Sequence, residues 1–189
     1  MASAHFELYR PVFAPPLAKP FPLDAAPWKR GVIVRSVNWI GDCLMAMPAV
    51  YRLRCMMPAD TGLWILCRDS VEDVWQAAEW IDQVFSMDGK RASISMKLEL
   101  RELHAGIGLV LPNSFGAAYD LAGAGVPVRI GRAGRGRSPM LTHRLPAWNR
   151  DEKNSTFHQS SNYINLVHSI GESPDNPMPL PLLVTDGEW

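Results

Sequence analysis

Apolar residues along this chain fall into two alternating rhythms. Short continuous apolar runs occur at Gly31–Ser36, Gly62–Arg68, Gln83–Met87, Gly106–Asn113 and Pro127–Arg132. Such runs read as strands buried on both faces. Between them lie stretches with helix formers and three- to four-residue apolar spacing: Asp42–Met57, Ser70–Ile81, Ser93–Ala105 and Ser114–Gly125. Pro48 falls inside the first of these and is expected to kink or restart that helix. Ser70, with Asp73 three positions on, predicts an N-cap of capping-box type. Asn113 or Ser114 is expected to open the fourth helix, and its glycines to close it. Ser138–Pro146 reads as partly extended, and Thr156–Gly171 as a last helix.

Strand and helix alternate often enough to predict an α/β fold with a Rossmann-like, doubly wound parallel sheet. Ligands of such sheets sit at the carboxyl ends of the strands, near the point where strand order reverses. The first strand opens there onto Val37–Asp42 and the fourth onto Leu111–Ser114. Residues 1–30 carry six prolines in irregular order and read as an arm. Residues 31–172 form the domain, and residues 173–189, again proline-rich, begin a linker.

Bulk composition narrows the function classes. The chain has 189 residues, enough for one well-packed domain. Its 19 basic and 19 acidic residues balance, so no global field points to nucleic acid. Cys43, Cys55 and Cys67 form no CxxC pair and read as reduced, buried thiols of a cytoplasmic protein. No apolar run reaches membrane-span length, and prolines and charges interrupt the N-terminus where a signal peptide would need an apolar core.

Three features carry candidate chemistry. Asp42 follows Gly41 at the turn from first strand to first helix. An acid there is either a first-turn residue favoured by the helix dipole or a carboxylate facing the ligand crevice as a general base. The turn has one glycine where a dinucleotide fingerprint wants three, and the chain has no P-loop, which argues against an ordinary NAD or ATP domain. Arg129, Arg132, Arg135, Arg137 and Arg144 crowd an acid-free, glycine-bearing segment. That composition reads as a solvated basic loop or as an anion site, and without interleaved aromatics it offers nucleic acid no stacking platform. His104, His143, His158 and His168 lack metal-ligand spacing, so no metal is expected. Cys43, beside Asp42 at a helix start where a thiol pKa can fall, reads as core.

Asn-Trp-x-Gly-Asp at 38–42, Leu-Pro-Asn-Ser-Phe at 111–115, Gly-x-Pro-x-Arg-x-Gly at 125–131 with Leu-Thr-His at 141–143, and His-x₄-Tyr at 158–163 occur in this order. In combination they closely resemble the N-terminal half of the lipopolysaccharide heptosyltransferases of glycosyltransferase family 9, the heptosyltransferase II branch most of all. The resemblance implies the acceptor domain of a GT-B architecture, two Rossmann-like domains facing across a cleft. It implies inverting, metal-independent transfer of heptose from ADP-heptose, as donor substrate, to the lipopolysaccharide inner core, with no cofactor. The partners it implies are that Kdo/heptose-lipid A acceptor, ADP-heptose and, peripherally, the cytoplasmic face of the inner membrane. Asp42 matches the family's catalytic aspartate. Trp39, Gly41, Asn113, Ser114, Arg132, Arg135, Arg137 and His158 fall where substrate contacts are expected. The chain ends about where the interdomain connection would begin, so the acceptor half alone is expected to be inactive. The alternative is a stand-alone module that binds an anionic glycolipid or polyphosphate without chemistry.

Overall fold

A computed structural model describes residues 27–147 and 159–170. Six strands form one sheet: β1 Val32–Arg35, β2 Leu63–Arg68, β3 Gln83–Met87, β4 Ile107–Val110, β5 Val128–Arg132 and β6 His143–Leu145. Their order is β3-β2-β1-β4-β5-β6, and every neighbouring pair is parallel. The helices are α1 Ile40–Met56, α2 Glu72–Gln76, α3 Ile94–Glu102, α4 Phe115–Gly123 and α5 Gln159–His168. This is the doubly wound sheet expected from the sequence. The order reverses between β1 and β4, which places the ligand crevice at their carboxyl ends.

The two central strands are buried at every position. Their apolar side chains supply both layers of core. Val32, Val34, Ile107 and Leu109 pack with α1, α2 and α5 on one face. Ile33 and Val110 pack with α3 and α4 on the other. Each such side chain removed from water contributes about 1.5–3 kcal/mol. The core also reaches back to Trp28, which is fully buried although it lies in the segment expected to be an arm. The rest of that arm and of the linker lies outside the described residues. Gly31 is required where it stands: its φ is +75°, and a Cβ there would lie 2.5 Å from the Gly62 carbonyl oxygen.

Two local expectations are corrected. Helix α1 runs through Pro48 without a restart. Ser70 does not cap α2: its own N–H is taken by Asp69 Oδ1 at 2.7 Å, a 3₁₀ turn spans Asp69–Val71, and α2 is only five residues long. Residues 138–146 are partly extended as expected, and residues 143–145 among them form a sixth parallel strand on β5.

The cysteines divide. Cys43 and Cys67 are buried, whereas Cys55 is exposed, against expectation. Burial pushes the Cys43 thiol up despite its helix start, and pushes Cys67 up to about 12. A thiol reagent at neutral pH should therefore modify one cysteine of the native protein and three after unfolding, read by intact mass. Rapid modification of all three in the native state would contradict this packing.

Candidate functional site

A cavity of about 330 Å³ opens at the predicted place. It lies at the carboxyl ends of β1 and β4, between the starts of α1 and α4. Val37, Asn38, Trp39 and Asp42 come from the first crossover, and Val110, Leu111, Pro112 and Asn113 from the fourth strand's exit. Arg132 and Arg135 come from the end of β5 and the loop after it. Helix α5 closes the remaining side with Gln159, Asn162, Tyr163 and Leu166, whose spacing puts them on one helical face.

The turn carrying Asp42 is braced from below. Ser36 is fully buried. Its hydroxyl accepts from Trp75 Nε1 at 2.7 Å, donates to the Val37 carbonyl at 3.1 Å and meets Cys43 Sγ at 3.6 Å. Trp39 then takes an extended conformation as N-cap of α1, with no side-chain capping bond, and Cys43 N–H donates to its carbonyl at 2.9 Å. Asp42 thus occupies the third position of the helix and is not the cap. Its half-buried carboxylate faces the cavity, and no hydrogen-bond donor or cation among the described residues engages it. Across the cavity, burial first, and the nearby Asp42 charge after it, push the Tyr163 phenol up. That hydroxyl stays protonated at neutral pH and accepts from Gln159 Nε2 at 3.4 Å.

Trp39, the most exposed large apolar side chain of this turn at 76%, forms one lip of the cavity. Gly41 is exposed and helical, and a Cβ there would meet no atom within 4 Å. The fold does not demand glycine at this position. It does not itself line the cavity.

The basic loop separates into parts with different duties. Arg132 is nearly buried, lines the cavity and donates through one terminal nitrogen to the Pro146 carbonyl at 3.4 Å. Arg135 is exposed at the cavity rim with φ of +47°, between Gly134 at +110° and Gly136 at +72°. Such a left-handed run is accessible chiefly because two of its three residues are glycine. Arg137 is placed differently from Arg132 and Arg135. It is 2% exposed and outside the cavity wall. Its Nε donates to the Arg132 carbonyl, and one terminal nitrogen donates to the Ala133 carbonyl at 3.2 Å and to Asn113 Oδ1 at 2.7 Å. Burial and the neighbouring arginines lower its pKa. Arg137 thus buttresses the loop and fixes Asn113, whose Nδ2 is left as a donor at the cavity. Ser114 opens α4 as expected: its hydroxyl accepts from Ala117 N–H at 3.2 Å as N-cap, and it lies outside the cavity wall. His158 lies outside the described residues.

Four polar residues of the wall were not among the expected site residues: Asn38, Gln159, Asn162 and Tyr163. Two had a signal, since Asn38 opens the Asn-Trp-x-Gly-Asp motif and Tyr163 ends His-x₄-Tyr. The side-chain oxygens of Asn38 and Asn162 are buried without a hydrogen-bond partner among the described residues. Buried acceptors of this kind call for donors, such as the hydroxyls of a polyol. The cavity therefore combines a free carboxylate, unsatisfied acceptors, an indole and two guanidinium groups.

No protein-family model and no curated protein matches the sequence. Solved structures do match in fold. Heptosyltransferase II of E. coli superposes with a TM-score of 0.64 at 24% identity, covering 82% of this chain and 47% of that one. A family 9 glycosyl transferase from Veillonella parvula gives 0.62 at 21%, covering 80% and 44%. E. coli heptosyltransferase WaaC with ADP gives 0.64 at 13%, covering 80% and 50%. At such identities the likeness is one of fold, and this chain spans about half the length of the structures it matches.

Proposed function

We propose that this chain is the acceptor-binding half of an inverting, metal-independent glycosyltransferase that moves heptose from ADP-heptose to the lipopolysaccharide inner core. The observation that carries the reading is the Asp42 carboxylate, held at a helix start in the switch-point cavity and left without a hydrogen-bonding partner among the described residues. In this reading Asp42 takes the proton of an acceptor hydroxyl while that oxygen attacks the anomeric carbon. The bond from that carbon to the ADP oxygen breaks on the opposite face, and ADP leaves with the electron pair. Trp39 offers an apolar face to a sugar ring. Asn38 and Asn162 accept from sugar hydroxyls, and Arg132 and Arg135 face the phosphates and carboxylates of the acceptor. The donor identity is taken from the sequence resemblance and from the named fold neighbours. Donor contacts belong to the second half of such an enzyme.

The same arginines favour a second reading, an anionic-glycolipid binder without chemistry. One experiment separates the two. The full reading frame is incubated with ADP-heptose and a lipid-linked inner-core acceptor, with and without a chelator. The transferase reading expects heptosylated acceptor in both, and an Arg135→Gln variant with acceptor affinity several-fold weaker, the gap widening at low salt. Acceptor binding with no transfer would select the binder. Unchanged affinity in Arg135→Gln would return that residue to solvated surface.

A further inference from the structure

Helix α5 offers three polar side chains to the cavity, Gln159, Asn162 and Tyr163, and they are joined in one directed chain. Asn162 Nδ2 donates to Gln159 Oε1 at 3.2 Å, and Gln159 Nε2 donates to the Tyr163 hydroxyl at 3.4 Å. Their spacing of three and four residues puts them on one helical face. The direction of the chain decides what each member has left. Asn162 keeps an oxygen that is buried without a hydrogen-bond partner among the described residues. Tyr163 accepts in its one bond, so its own proton has no acceptor among them.

Tyr163 is the most firmly held of the three. It is 5% exposed, and its ring belongs to the core layer through which α5 packs on α1. Asn38, beyond the end of β1, brings a second buried oxygen without a partner among the described residues. A ligand that satisfies these groups has to accept from the phenol and donate to the two amide oxygens. Ionised carboxylates only accept, ammonium groups only donate, and hydroxyls do both. The guanidinium groups of the cavity come from elsewhere, the end of β5 and the loop after it. Hydrogen-bond reading and charge reading therefore occupy different walls.

We infer that Tyr163 is a specificity-determining residue of this cavity, donating to a hydroxyl of the acceptor sugar other than the one that reacts. The inference rests on the acceptor reading given above and adds what α5 selects, a sugar with a second free hydroxyl. Asp42 meets the reacting hydroxyl, while Tyr163 and Asn162 hold the ring by others. Gln159 is a positioning residue: by donating to the phenol it leaves the Tyr163 proton free for the ligand. A buried donor left unpaired is costly, so a sugar lacking this hydroxyl is rejected more sharply than an apolar pocket would reject it. Burial, with the Asp42 charge, keeps the phenol protonated at neutral pH, so the donor is present there.

The test is a double-mutant cycle on the affinity of the full reading frame for the lipid-linked inner-core acceptor, with transfer kinetics measured alongside. Tyr163→Phe keeps the ring and removes only the proton donor. It should bind the acceptor about three- to tenfold more weakly, the range set by one neutral hydrogen bond. The loss should be independent of salt, unlike that of Arg135→Gln. KM for the acceptor should rise, while KM for ADP-heptose and the circular dichroism melt stay as in the wild type. Gln159→Glu reverses the polarity of the chain, because a carboxylate only accepts and so captures the Tyr163 proton. Its added charge acts equally in both backgrounds. Its cost should therefore be smaller in the Tyr163→Phe background than in the wild type, and the difference measures the relay. Unchanged acceptor affinity in Tyr163→Phe, a loss that comes with a lowered melt, or an equal cost of Gln159→Glu in both backgrounds overturns the inference and leaves the acceptor reading standing. A wild type that neither binds the acceptor nor transfers to it removes the acceptor reading itself, and the inference with it.

Discussion

Replacing Asp42 with Asn should reduce heptose transfer by the full reading frame about 10²–10⁴-fold while leaving ADP-heptose binding and the fold unchanged. The amide keeps the shape of the carboxylate and cannot take the hydroxyl proton. The structural cost is small because Asp42 makes no capping bond and no ion pair among the described residues. What the fold loses is a first-turn charge on the α1 dipole, worth about 0.3–1 kcal/mol. A large kinetic effect with a small shift in melting temperature is the signature of a base. The opposite pattern, a destabilised protein with near wild-type turnover, would make Asp42 a helix-terminus charge and remove the base from the mechanism. Asp42→Ala should fall as far in rate, since proton acceptance is lost either way.

The sequence reading and the structure agree where the signal is continuous. Val32–Val34 and Ile107–Val110 are apolar without interruption because both faces of a central parallel strand are covered. No such run marks β6, read only as part of a partly extended segment: it has three residues, lies at an edge and exposes two of them, His143 and Arg144. A short half-solvated edge strand has no apolar run to recognise. Ser70 failed as a cap because Asp69, one position earlier, competes for the local N–H groups. The basic loop shows a different limit. Arg135 and Arg137 are two residues apart in the same glycine-rich context, and composition cannot rank them. Backbone conformation does: the left-handed stretch from Gly134 to Gly136 turns Arg135 out to the rim and carries Arg137 inward, onto carbonyls and Asn113. The α5 contribution was hidden for a further reason. Gln159 and Asn162 are ordinary helix-surface residues until α5 packs against α1 across the cavity.

The largest stability effect should come from a residue outside the site. Asp120 on α4 is wholly buried and receives three donors. Arg35 Nε reaches its Oδ2 at 3.3 Å, while Ala92 N–H and Arg91 Nε reach its Oδ1 at 3.2 and 3.4 Å. Arg35 is itself only 2% exposed, at the carboxyl end of β1, and also donates to the Ser36 carbonyl at 2.7 Å. Burial lowers the Arg35 pKa, and Asp120 opposes that fall by charge and hydrogen bond. Asp120→Ala leaves a buried guanidinium without its countercharge and a buried N–H without its acceptor. The expected loss is about 3–5 kcal/mol of unfolding free energy, a large part of the roughly 5–15 kcal/mol typical of a domain. Removing both charges tells more. Arg35→Met with Asp120→Leu should cost well below the sum of the single changes, because neither charge is then stranded. Chemical denaturation of the four proteins in the cycle measures this. A loss under about 1 kcal/mol for Asp120→Ala, or strictly additive singles, would show that solvent or another group compensates Arg35. Coupling would show instead that this pair clamps α4 to the strand from which the Asp42 turn springs. In that case Asp120→Ala should also slow transfer in the full reading frame, and the double variant should recover stability more completely than rate.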